Sequence, residues 1–337
     1  MIGPLRLSEN KMDSIVFPSA SSNPGTLHYI PPNLCAFEPS KPLVGSTNIN
    51  TLLWIGGIFD TLFSVEYPMV IAHSLGPTWS LVTACLGSAG KSWGVSSVAQ
   101  DAEDIAAIVS YLKEKRPGGK VVIMGHSTGC QDCMEYTVGP KTAKYPSVDG
   151  VILQAGVSDR EALAVELPET LLHEANQTAL KMCREGKDKE AMPTRFVRPV
   201  FGSIAITARR WVDIASPGPD HIGLDDYFSS DLSDDRLKAT FGKLKPSTPI
   251  LIVQGGNDAA IPASVDTQAL IDRWSEIVKS GGANVDEVHS GVVLGASHNL
   301  NGNPEAVVQD LVRRVVGFID RLDKNDFPNC NSQESKI

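Results

Sequence analysis

Short uninterrupted apolar runs alternate along this chain with longer stretches in which apolar residues return every three or four positions. The first pattern is that of a buried strand and the second that of an amphipathic helix; their regular alternation predicts βαβ units around a parallel sheet. Residues 26–30 and 34–37 read as an N-terminal hairpin, and residues 50–55 as a buried strand closed by the turn Gly56-Gly57. Residues 79–86 predict the next strand, and residues 98–114 a helix whose Ile105, Ile108, Val109 and Leu112 share one face. Pro117-Gly118-Gly119 ends that helix. A strand at 121–124, a helix running from 128 towards 138 and a strand at 148–154 repeat the same order.

The alternation breaks at residues 159–245, which carry two helical patterns and five prolines. Strand character resumes at 249–254, followed by a helix at 263–279, which Pro262 and Ala263 begin, a strand region at 285–294 and a closing amphipathic helix at 304–322. The chain therefore divides into a core of residues 1–158 and 246–325, a cap or lid inserted at 159–245, and a tail at 326–337 that reads as frayed. The fold class is α/β, with a mostly parallel central sheet flanked by helices.

A composition of 42% hydrophobic and 20% charged residues over 337 positions is that of a globular protein with a sizeable interior. The net charge of −9 argues against a nucleic-acid partner, since a polyanion needs a basic face. No apolar segment follows a basic start, and no run reaches the roughly 18 apolar residues of a membrane span, so no membrane partner and a cytoplasmic location are expected. Six scattered cysteines, Cys35, Cys85, Cys130, Cys133, Cys183 and Cys330, read as reduced thiols. Cys130 and Cys133 form a CxxC, but no second ligand pair stands at zinc spacing, so they read as core-facing helical thiols.

The candidate chemistry begins at Gly125-His126-Ser127-Thr128-Gly129, a G-x-S-x-G that follows a strand and opens a helix. That context makes it a nucleophile elbow, a turn so tight that only small flanking residues fit and the serine Oγ stands exposed above the sheet. A serine nucleophile needs a base to take its proton and an acid to orient the base, in the order Ser, acid, His, each after a later strand. Asp258 in the Gly-rich loop of QGGNDAAIP and His298 after VVLGAS stand at those places, with Asp159 the substitute acid. The other histidines read as packing or surface residues, except that the His126 ring, beside the nucleophile, is a candidate to face the pocket.

Negative charge on the attacked carbonyl oxygen calls for two backbone N–H donors, one from Thr128 and the other from the Gly56-Gly57-Ile58-Phe59-Asp60 loop. Ile58 is favoured for the second and Gly57 comes next. Phe59, His126, Arg209 and Trp211 are candidate substrate contacts, although a solvated helix face accounts for Arg209, Arg210 and Trp211 equally well. Asp225, Asp226, Asp231, Asp234 and Asp235 read as a solvated acidic surface, and no metal or cofactor is expected.

With these residues in hand, the chain resembles a fungal family of α/β-hydrolases that includes intracellular siderophore esterases acting on fusarinine-type ferric hydroxamates. The resemblance spans most of the chain and rests on LLWIGGIFD, SWGVSSVAQDAEDI, MGHSTGCQDCMEY, RRWVDIASPGPD, DDYFSSDL, QGGNDAAIP and ASHNL. It implies triad roles for Ser127, Asp258 and His298. It also implies a small-molecule substrate, an ester-linked hydroxamate siderophore such as fusarinine C or triacetylfusarinine C, with or without iron, cleaved to aid intracellular iron release. Two other readings of the same residues are a general carboxylesterase, lipase or acyltransferase, because the triad sets the acyl chemistry and not the groups around it, and a non-catalytic receptor that kept the fold.

Overall fold

The computed structural model of the protein describes residues 22–40 and 50–327. The N-terminal stretch, Cys330 and nearly all of the expected tail fall outside them. One sheet of eight strands organises the described residues, in the order β1-β2-β4-β3-β5-β6-β7-β8. β1 (Gly25–Ile30) and β2 (Leu34–Pro39) form the expected hairpin, and β2 pairs antiparallel with β4 (Trp79–Cys85). From there β3 (Asn50–Ile55), β5 (Val121–His126), β6 (Gly150–Gln154), β7 (Ile250–Gly255) and β8 (Gly291–Val293) are all parallel. β3, β5, β6 and β7 are buried along their whole length, which is why their sequences read as continuous apolar runs rather than as alternation.

Both faces of the sheet are covered. On one lie α2 (Val98–Lys115), α3 (Thr128–Val138) and α9 (Thr267–Ser280), which contribute Ile105, Cys130 and Trp274 to a common core. On the other lie α1 (Tyr67–Ser74) and α10 (Glu305–Lys324), which contribute Ile71 and Phe318. Each fully buried side chain of this size stabilises the fold by roughly 1.5–3 kcal/mol relative to exposure. Ser97 starts α2 by accepting from the Gln100 N–H, the side-chain cap that satisfies one orphan helix donor.

Two elements depart from the expected boundaries for identifiable reasons. α9 begins at Thr267, not at Pro262 and Ala263, because Asp266 caps it by accepting from the Ala269 N–H. The strand expected over 285–294 is reduced to β8, with Val285 making only an isolated bridge to Ile250. Between them Asp286 accepts from the N–H groups of Val288 and His289, which turns the backbone out of the ladder.

Between β6 and β7 run α4 (Asp159–Glu166), α5 (Glu169–Arg184), α6 (Thr194–Phe201), α7 (Ala208–Ala215) and α8 (Asp234–Lys238), where two helical patterns were expected. α4 to α7 build an apolar core of their own around Phe196, Ile206 and Trp211, against which Ile58 and Phe59 pack from the β3 side. The later part of the segment joins the core over the sheet instead: Phe241 stacks on Trp274 at 5.5 Å between ring centroids, with Phe228 edge-on to both. The insertion is thus two structures, the first standing apart from the sheet and the second packed on it.

Candidate active site

β5 ends at His126 and α3 starts at Thr128, which leaves Ser127 alone in the turn with φ 54° and ψ −124°. A non-glycine residue reaches such a conformation only under constraint. The constraint is visible in the flanking glycines: a Cβ on Gly125 would lie 2.2 Å from the Gly129 carbonyl oxygen, and one on Gly129 would lie 2.3 Å from that of Ile55. No side chain fits at either position, so the elbow sequence follows from its own crowding.

The three residues expected to act together meet. The His298 Nε2 lies 2.8 Å from Ser127 Oγ, and its Nδ1 lies 2.7 Å from Asp258 Oδ2. Ser127 and Asp258 are buried, while the His298 side chain keeps 31% of its surface exposed. Burial opposes ionisation of Asp258, but the His298 charge and hydrogen bond, with the Ala260 N–H, outweigh it and hold the carboxyl below its usual range. An ionised Asp258 only accepts, so Nδ1 carries the proton and Nε2 presents its lone pair to the serine. Loss of solvent around the His298 ring disfavours its charged form; the Asp258 charge and hydrogen bond, with Asp60 and Asp159 behind them, overcome this and raise its pKa above that of a free histidine.

The histidine stands on a loop rather than a strand, and hydrogen bonds fix it. Asn301 accepts from the Glu66 N–H and donates to the Ser64 carbonyl, and Asn303 accepts from the Ser297 N–H at 2.8 Å. The Gln154 amide donates to the His298 carbonyl at 3.4 Å, while its Oε1 accepts from Tyr67 at 2.9 Å and from His126 Nδ1 at 2.6 Å. Sequence reasoning missed Gln154 and Tyr67; apart from its place at the end of β6, neither has a local signature.

His126 is fully enclosed, stacked on Trp54 and 5.1 Å from the His298 ring between centroids. Burial, only partly offset by Asp60, brings its pKa down to about 4, so it stays neutral near pH 7. Asp159, the substitute acid, is not in reach of His298 Nδ1, which Asp258 occupies, and instead accepts from Gln131 at 3.2 Å.

Of the loop after β3, Gly57 lies against Ser127: a Cβ there would fall 2.6 Å from Ser127 Cβ. Its N–H is committed to Asp60 Oδ2 at 2.7 Å, whereas no described residue accepts from that of Ile58. Thr128 is the first residue of α3, so its N–H has no intrahelical acceptor. Phe59, at φ 66°, packs edge-on to Trp93 under the inserted helices.

Burial decides several of the remaining expectations. Trp211 is 0% exposed and donates to Asn176 within the core of the inserted helices, so it packs rather than contacts a ligand. Arg209 is engaged by Asp213 one turn along α7. Asp225 and Asp226 are not solvated but buried, because Arg210 and Arg160 pair with them; Asp231, Asp234 and Asp235 do lie at the surface. Cys130 and Cys133 are both buried, and Cys130 donates to the carbonyls of Gly125 and Gln154. Among the described residues no group of His, Cys, Asp or Glu is arranged to hold a metal.

Residues 18–320 match the model of the family described as "Protein of unknown function (DUF1749)". The chain belongs to this family. Within reach of the family's sequence, the chain is 32% identical to the fusarinine C esterase sidJ of Aspergillus fumigatus over 89% of this chain and 97% of that protein. It is likewise 32% identical to esterase AN6793 of Emericella nidulans, covering 94% and 97%. Among solved structures, the siderophore hydrolase EstB of Aspergillus fumigatus superposes with a TM-score of 0.77 at 32% identity, over 90% of this chain and 98% of that one. The family member described here has the α/β-hydrolase fold.

Proposed function

We propose that this chain is a serine esterase that cleaves the ester bonds of hydroxamate siderophores of the fusarinine type. The observation that carries the proposal is the unbroken hydrogen-bond chain Asp258–His298–Ser127 at a strained elbow. The substrate rests on relatives named as a fusarinine C esterase and a siderophore hydrolase, each about one-third identical along nearly the whole chain.

In this mechanism Ser127 Oγ attacks the ester carbonyl while His298 Nε2 takes its proton. The N–H groups of Thr128 and Ile58 receive the developing oxyanion; Ile58 is preferred to Gly57 because the Gly57 N–H donates to Asp60. The tetrahedral intermediate collapses, breaking the bond to the alkoxide, which leaves with the proton from His298. Water, deprotonated by the same ring, then attacks the acyl-enzyme and releases the acid. The helices α4 to α7 form a cap over this site, with Phe59 at the seam where a substrate would pass.

Opening the ester links separates hydroxamate groups that had shared one molecule, so their effective concentration about iron falls and the metal is held less tightly. A net charge of −9 favours a neutral or cationic substrate over an anionic one. No described helix is long and apolar enough to cross a membrane.

Mass spectrometry of the protein incubated with ferric and iron-free fusarinine C and triacetylfusarinine C, beside a simple aryl ester, tests the proposal. Linearised products from the wild type and none from Ser127→Ala are expected. Turnover of the aryl ester alone would keep the serine hydrolase and remove the siderophore.

A further inference from the structure

We propose that Asp60 is a positioning residue for this reaction: its carboxylate clamps the loop after β3 so that the Ile58 N–H faces the nucleophile, and its charge supports the catalytic base. The proposal rests on the hydrolase reading above and adds a residue to it.

The clamp is closed on every side. Asp60 Oδ2 accepts from the Gly57 N–H at 2.7 Å and Oδ1 accepts from Ser64 Oγ at 2.8 Å. The Asp60 backbone N–H donates to the Gly57 carbonyl at 3.1 Å, and its own carbonyl accepts from the Gly90 N–H at 3.1 Å. A four-residue turn is thereby locked to itself and to the chain beyond β4. Inside that turn Phe59 has φ 66°, a conformation that costs a non-glycine residue roughly 1–3 kcal/mol and persists only where its surroundings impose it. A relaxed loop would return Phe59 to negative φ and rotate the peptide plane that carries the neighbouring N–H.

The same bonds account for which N–H is used. Gly57 lies against Ser127, yet its donor is turned towards Asp60, whereas the next N–H along the loop, that of Ile58, has no acceptor among the described residues. An oxyanion donor must be fixed before the charge appears, since its advantage over water is that it does not reorganise.

The second half concerns charge. Asp60 Oδ2 lies 3.8 Å from His126 Nε2, and His126 packs against His298. The groups facing the His298 ring are Asp258 and Asp60, whose charges favour its protonated form, Asp159, which burial keeps largely protonated below about pH 7, and His126, which is neutral near pH 7. Asp60 thus stabilises the imidazolium that forms when His298 takes the serine proton. Removing its charge should lower the pKa of His298 and move the acid limb of the rate profile to lower pH.

The test is steady-state kinetics of Asp60→Ala and Asp60→Asn on p-nitrophenyl acetate across pH, with thermal melting to show that each is folded. Asp60→Ala should lose about 10²-fold in kcat with KM changed by less than about threefold, the signature of a donor lost in the transition state. Asp60→Asn still accepts from Gly57, so it should recover kcat to within about tenfold of wild type, with the acid limb displaced downwards. A folded Asp60→Ala with kcat within about threefold of wild type overturns the proposal. So does an Asp60→Asn whose acid limb has not moved, which decides the matter even if the alanine variant does not fold. Failure of wild type both to cleave the ester and to label at Ser127 with a fluorophosphonate would overturn the hydrolase reading itself, and this assignment with it.

Discussion

Two groups of buried charge meet at α3, and they are built by opposite rules. At its N-terminus the triad gives every charged or polar atom a partner at 2.7–2.9 Å and keeps the imidazole in touch with solvent. One turn further along, Asp132 joins Asp101, Asp159 and Asp225 around a single cation, Arg210, which is 1% exposed. Arg210 donates to Asp225 at 2.5 Å and lies over the Trp93 ring, but its Nε and Nη2, like Asp132 Oδ1 and Asp225 Oδ1, find no protein partner among the described residues. Four carboxylates with one guanidinium cannot all be ionised cheaply, so burial pushes Asp101 and Asp225 up to about 6 and Asp159 to about 7. The Ser127–His298–Asp258 array has the geometry to pass a proton, whereas the Arg210 group gathers carboxyls whose ionisation burial opposes and joins α7 of the insertion to the helices of the core.

Breaking the triad should produce the largest effect. Asp258→Asn leaves the shape of the site but removes the charge that sets the His298 tautomer, and kcat should fall by about 10³–10⁴. In the wild type, His298 must be neutral to act, so its raised pKa puts the acid limb of kcat/KM above that of an ordinary histidine; a pH profile with a limb at or below it would contradict the Asp258 role.

Removing the central cation of the other group should act on stability instead. Arg210→Met leaves buried carboxylates without their partner, at a cost of about 3–5 kcal/mol, read as a thermal midpoint lowered by roughly 5–10 °C. Adding Asp225→Asn to it should recover part of the loss. A single variant as stable as wild type would show that the cluster does not join the insertion to the core.

The smallest effect sharpens the comparison through pH. A carboxyl whose pKa is raised on folding binds more protons in the native state, so stability is greatest below the unfolded pKa and is lost as pH rises through the folded one. For Asp159 that window runs from about 4 to about 7. Asp159→Asn should therefore melt higher relative to wild type at pH 8 than at pH 5, and an equal difference at both would show that Asp159 is not held protonated.

The two groups also differ in how far they could be read from the chain. Ser127 announced itself through a contiguous pattern of strand, small residues and helix, and Asp258 and His298 through their places after later strands. Nothing comparable marked Arg210. Its neighbours Asp101, Asp132, Asp159 and Asp225 come from four separate elements, and the acidic residues around 225–235 looked alike until folding buried two and left three outside. Trp211 reads as a ligand contact in the sequence for the same reason, since an aromatic beside two arginines has no visible orientation before its helix packs.

Sequence alone determined the order of strands and helices, the elbow, the order of the triad and the membership of a hydrolase family, because each rests on local backbone preference or on contiguous residues. It also placed Asp60 within a recognisable loop without revealing its part. Tertiary structure alone decided that Asp60 takes the Gly57 N–H and leaves that of Ile58 without an acceptor among the described residues, that Gln154 ties down the His298 loop, that the insertion divides between its own core and the sheet, and which carboxyls are buried where ionisation is opposed. The reason is common to all four: the partner that satisfies a buried polar group, or fails to, is set by how elements pack and turn, and one-dimensional spacing does not encode it.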